Sequence, residues 1–124
     1  YIALVSGLAH AQQADVLYAD RENLASAKQA AQLWAAELRR DPSAFDSAWK
    51  LARTCYWLGG HVPESERRAF LEQGMAAAQQ AARVQPNRPE GHFWRAATMG
   101  ELAEHFGLRL GLMYRGAIRS ELET

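Results

Sequence analysis

Lys50, Arg53 and Trp57 are the residues whose types and spacing best fit recognition chemistry. They are spaced i, i+3 and i+7, which on a helix places all three on one face. Two cations beside an indole can hold a carboxylate or an acidic peptide, through charge-assisted hydrogen bonds and a stacking surface. Arg95, with His92 one turn before it, forms a second cationic position further along. The alternative for this group is a solvated helix face whose cations pair with Asp46 or Glu90.

Catalytic chemistry finds little support. The chain has no glycine-rich phosphate loop, no Gly-x-Ser-x-Gly, no His-Glu-x-x-His and no cysteine pair, so no catalytic residue and no cofactor is assigned. Cys55 sits between Leu51 and Leu58 on an apolar stripe, where an inert buried thiol is expected. Glu101 and His105 are one helical turn apart and Glu104 adjoins them, but a convincing fourth ligand is missing, and the four histidines show no ligand spacing. No metal is assigned. The 14 Lys+Arg balance the 14 Asp+Glu, and no basic run stands out, which argues against nucleic acid as a partner.

These side chains must be positioned by helices. Alanine makes up 24 of the 124 residues, β-branched residues are scarce, and no stretch alternates as a half-buried strand requires, so the fold is expected to be all-α. Turn signals divide the chain into six segments: Asp20 to Asn23, Asp41-Pro42-Ser43, Gly59 to Pro63, Pro86 to Glu90, and Gly107. Ser43 and Asp46 are spaced like a capping box, as are Asn87 and Glu90. Aromatics including Trp34, Trp49, Tyr56 and Trp94 are expected mainly in the core, with Phe45, Ala48, Trp49, Ala52, Tyr56 and Gly59 on one face of the third segment.

The segments repeat. A shift of 44 lays Leu38 to Pro42 over Ala82 to Pro86, and a shift of 45 lays Trp49-Lys50-Leu51-Ala52 over Trp94-Arg95-Ala96-Ala97, pairing Lys50 with Arg95. Repetition at this length signals stacked helical hairpins, because one hairpin cannot cover its own apolar stripe. Trp49, Ala52, Tyr56, Gly74, Ala78, Ala81 and Pro86 resemble a tetratricopeptide repeat with residues inserted, as an extended turn around Gly59 to Arg68. The expected architecture is a short α-solenoid of about six helices, whose first helices would line a concave side and bring Lys50, Arg53, Trp57, His92 and Arg95 together.

A further resemblance is to the tetratricopeptide-like T component of tripartite ATP-independent periplasmic (TRAP) transporters. Leu17 to Arg21, Trp49 to Arg53, Tyr56 to Gly59, Pro89 to Trp94 and Ile118 to Glu123 carry it. It implies a periplasmic or lipid-anchored helical-repeat protein that associates with a substrate-binding protein and often with itself, although no lipobox cysteine supports anchoring.

Residues 1–11 read as a signal-peptide remnant ending in the small-x-small pattern Ala9-His10-Ala11, or as the start of the first helix; residues 12–124 form one domain. The first reading places the protein in the periplasm or outside the cell, the second in the cytoplasm. The apolar run is too short for a membrane span, which takes about 20 residues. The last segment, with Leu108, Leu112, Met113, Ile118 and Leu122 alongside Gly111 and Gly116, either folds back over the array or docks another subunit, which would make a homo-oligomer. The function expected from all this is a non-catalytic interaction scaffold in a solute-uptake or envelope assembly. The alternative is a carrier for a small hydrophobic acid or lipid.

Overall fold

The computed structural model describes residues 2–107, with side chains from Ala9 onward, and residues 118–122. Five helices follow one another: α1 (Ile2–Ala19), α2 (Leu24–Arg40), α3 (Phe45–His61), α4 (Glu64–Val84) and α5 (Pro89–Phe106). Residues 118–122 are helical too, and no strand occurs among the described residues. The all-α expectation therefore holds, as does a short stack of helical hairpins. Residues 2–11 share one continuous helix with 12–19.

Each element follows from an apolar stripe. In α2, Ala27, Ala30, Ala31, Trp34 and Leu38 recur at three- and four-residue intervals and are all buried. They pack with Ala48, Leu51, Ala52, Cys55 and Leu58 of α3 and with Ala77, Ala78 and Ala81 of α4 in one core. A smaller cluster of Leu71, Met75, Met99 and Leu102 joins α4 to α5, with Phe106 and Ile118 against it. Of the residues expected in a last helix, Leu108, Gly111, Leu112, Met113 and Gly116 lie outside the described residues.

The helix ends correct three local expectations. Asp41, not Ser43, organises the α2–α3 turn: its carboxylate accepts the Ser43 N–H at 3.1 Å and the Ser43 hydroxyl at 2.7 Å, while the α3 N-cap is Ala44 without a side-chain cap. Arg88 rather than Asn87 is the N-cap of α5, and Pro89 takes the first helical turn, where its missing N–H is harmless. The turn expected around Gly59 to Arg68 is only Val62 and Pro63. Gly59 and Gly60 are helical, and the additional residues lengthen α3 and α4.

The repeat has a single register, 44 residues. The starts of α3 and α5, Phe45 and Pro89, are that far apart, as are the C-caps Asp41 and Gln85. Buried Ser47, Ala52, Thr54, Cys55 and Leu58 superpose in this register on buried Gly91, Ala96, Thr98, Met99 and Leu102. In the same way Ala27, Ala30, Ala31 and Trp34 of α2 map onto Leu71, Gly74, Met75 and Ala78 of α4. The 45-residue pairing of Trp49 with Trp94 and of Lys50 with Arg95 is thereby corrected: Trp49 matches Phe93, Lys50 matches Trp94, and Leu51 matches Arg95.

Small residues make the crossings possible. A Cβ on Gly91 would lie 2.5 Å from the Ala82 backbone nitrogen and 2.9 Å from its Cα, so α5 can approach α4 this closely only without a side chain there. At Gly100, further along the same helix, a Cβ would meet nothing within 4 Å. Gly91→Ala should therefore destabilise the protein by about 1–3 kcal/mol through overpacking. Gly100→Ala should stabilise it by about 0.5–1 kcal/mol. Urea melts of both variants check this; equal stability would disprove the close crossing.

Candidate functional site

The end of α1, the length of α3 and the middle of α5 enclose a cleft of about 410 Å³, lined by Tyr18, Arg21, Arg53, Tyr56, Trp57, His61, Trp94 and Glu101, with Gly60. Helix periodicity explains the cast. Residues Leu51, Ala52, Cys55 and Leu58 turn into the core, so the half-buried Arg53, Tyr56 and Trp57 face the space between α3 and its neighbours.

Cations in this cleft lie on rings. The Arg53 guanidinium sits 3.8 Å from the centroid of Tyr18 and 5.1 Å from that of Trp49. Arg21 lies 4.6 Å from the same Tyr18 ring and 5.0 Å from Trp57. Burial pushes the Arg53 guanidinium below its ordinary range; Tyr18 and Asp15 oppose the shift and Arg21 adds to it. The Nε atoms of Arg21 and Arg53 are buried and have no hydrogen-bond partner among the described residues.

Trp57 and Lys50 have structural engagements. Trp57 Nε1–H donates to the Arg21 carbonyl at 3.2 Å, tying the α1–α2 turn to α3, and its ring stacks on His61 at 3.5 Å. Lys50 donates to Asp15 at 3.1 Å and lies 5.2 Å from the Trp34 ring, so it fastens α3 to α1; the expected pairing with Asp46 does not form, because that carboxylate accepts from Trp49 Nε1 at 3.0 Å. Tyr56 donates to Glu101 at 3.3 Å, and burial, then Glu101, raises its hydroxyl pKa. His105 Nε2 donates to Glu101 at 3.0 Å. Cys55 is fully buried, its thiol pushed up to about 12 by burial.

His92 and Arg95 do not join this group. They turn towards α4 and the 118–122 segment, bordering a hollow with Gln79, Ala82 and Arg83. Arg95 and His92 both bind the carboxylate of Glu121, which is 8% exposed. The predicted five-residue site is thus two sites: Lys50, Arg53 and Trp57 on the α1 side, His92 and Arg95 around Glu121. The error comes from the one-residue slip in register, since Leu51 is the buried counterpart of Arg95. The site expected from sequence lacks Tyr18 and Arg21, treats Glu101 only as a weak metal-ligand candidate beside His105, and leaves Tyr56 and Trp94 in the core; the adjacency of Tyr56 to Trp57, too wide for a single buried stripe, is the signal that the sequence offers.

A stacked-hairpin protein with an aromatic, guanidinium-bearing concave cleft is the class that this geometry defines. The profile of the family described as Regulator of microtubule dynamics protein 1-3 matches residues 10–123, and the chain belongs to that family. No curated protein and no solved structure matches it. The family match, which covers nearly the whole chain, overturns the resemblance to the TRAP transporter T component. The strings behind that resemblance do structural work common to stacked helical hairpins: Pro89 starts a helix, and Trp49 and Trp94 flank the groove. The implied substrate-binding-protein partner loses its basis as well.

His92 is the titrating member of the clasp. His92 Nε2 meets the Pro86 carbonyl at 2.8 Å and Nδ1 meets the Glu121 carboxylate, both acceptors, so the doubly protonated imidazolium satisfies the two contacts. Accordingly its pKa is raised above the ordinary 6.5, by the Pro86 bond first and the Glu121 bond next. A raised folded pKa gives stability that is complete below about 6.5 and is lost as pH climbs through the folded value. Urea melts between about pH 5 and about pH 9 should show this loss in the wild type and a flatter profile in His92→Gln. Parallel profiles would contradict the clasp.

Proposed function

We propose that this chain is a non-catalytic protein-interaction module, a tetratricopeptide-like stack that receives a segment of another protein on its concave face. One observation carries the reading: Arg53, over the Tyr18 ring at 3.8 Å and without an ion-pair partner among the described residues, lies at the wall of an open aromatic cleft. A guanidinium held in this way is preorganised for a ligand's acceptor, because its stacking partner is satisfied while its in-plane donors are not. The non-catalytic part of the reading is supported by how two reactive groups are already engaged. Glu101, the carboxylate of the cleft, is taken up by Tyr56 and His105, and the thiol of Cys55 is sealed in the core. The family description makes proteins that act on microtubule dynamics the first partners to test.

The test is site-specific photo-cross-linking in cells. A photoreactive amino acid at His61, on the rim of the cleft, should trap a partner protein. The same group at Ala36, exposed on α2, should not. Equal trapping at both positions, or none at His61, would overturn the proposal.

A further inference from the structure

We propose that the occupant of the cleft is an extended acidic segment of the partner, with one carboxylate seated against Arg21 and Arg53 and its apolar neighbour on Tyr56, Trp57 and Trp94. This rests on the preceding reading that the concave face is the interaction surface.

Charge complementarity supplies the argument. Arg21 and Arg53 place two positive groups on a single ring, at 4.6 and 3.8 Å from the Tyr18 centroid. Arg21 acts as a like charge on Arg53 in this half-buried cleft, and an anion within reach of both guanidiniums relieves that repulsion. No carboxylate among the described residues forms an ion pair with either one: the nearby Asp15 gives both its oxygens to Lys50, at 3.1 and 3.3 Å. Stacking occupies only the faces of a guanidinium; the Nε atoms are enclosed and Arg21 Nη1 donates to the Tyr18 carbonyl at 3.3 Å, which leaves the other Nη donors for a carboxylate.

Direction is built in. At the α5 side of the cleft Glu101 presents a negative charge, already bonded to Tyr56 and His105. A second carboxylate is repelled there, so the acidic end of the segment lies towards α1. Tyr56 and Trp94, with ring centroids 5.5 Å apart, offer the adjacent apolar side chain a surface. Other candidates carry less. In the Glu121 clasp the carboxylate is already met by His92 and Arg95, and the groove between α2 and α4, with Ala35, Arg39 and Gln73, shows no feature that selects an occupant. A phospholipid headgroup would suit the same guanidiniums, but a cleft of about 410 Å³ accommodates a few side chains rather than paired acyl chains.

Isothermal titration calorimetry with blocked pentapeptides tests the assignment on the full chain. Glu-Glu-Leu-Glu-Glu should bind at least about tenfold more tightly than Gln-Gln-Leu-Gln-Gln, and Lys-Lys-Leu-Lys-Lys should not bind. Arg53→Gln keeps a planar group on Tyr18 and should weaken the acidic peptide by about tenfold or more; Arg21→Gln provides a second reading should that variant fold poorly. Added salt should weaken binding further. Failure of the acidic peptide to bind, indifference to both substitutions, or Arg53-dependent binding of phosphatidylglycerol vesicles in place of the peptide would each overturn the proposal. If the peptide fails while the His61 cross-links persist, the interaction surface stands and only its acidic ligand is wrong; if those cross-links vanish, both readings fall.

Discussion

Close approach of neighbouring helices is the constraint from which the rest of this molecule follows. Ala27, Ala30, Ala48, Ala52, Ala78 and Ala81 have no exposed surface, and Gly91 lies directly on the backbone of Ala82. Helices packed through such small residues come near enough for short turns to join them, and the Val62–Pro63 connection is one result. Each large core side chain, Trp34, Leu58, Leu71 or Met99, then fills space that the small ones leave between layers.

Long side chains with charged ends have no room at those crossings. Arg53, Tyr56 and Trp57 are displaced to the side where α1, α3 and α5 face one another, and there they stack because neighbouring rings are the surfaces within reach. Two charged groupings illustrate opposite outcomes. Around Glu121, one carboxylate meets an arginine and a histidine, and its role is internal. Around Tyr18, two guanidiniums share a ring without a carboxylate of their own, which leaves their charge to be met from outside. Exposed Phe93, edge-on to Trp94 at 4.9 Å, extends the aromatic surface beyond the cleft.

Much of the architecture was legible in the residues because helix-forming composition and proline- or asparagine-bearing turns are local properties. The prolines at 42, 63, 86 and 89 stand at or beside helix ends. Register was harder to read. Trp49 and Trp94 suggest a 45-residue shift, whereas the buried positions obey 44, since what repeats is the spacing of small and apolar residues rather than the identity of the ring. That slip placed Arg95 beside Lys50 and merged two sites into one. Glycine commonly marks a helix end, which is why the expected turn begins at Gly59; instead Gly59 lies within α3 and makes room for Leu71, whose Cδ2 would lie 2.4 Å from an added Cβ. Tyr18 and Arg21 went unnoticed because their importance depends on α3 lying opposite, which no local pattern in α1 reveals.

Nuclear Overhauser effects in isotopically labelled protein test the central claim most directly, because they report contacts between side chains from different repeats. The account predicts cross-peaks from the Tyr18 ring to the Arg53 side chain and from the Tyr56 ring to the Trp94 indole, whose centroids lie 5.5 Å apart. Resolved resonances for all four residues without those cross-peaks would mean that α1, α3 and α5 do not share a concave wall.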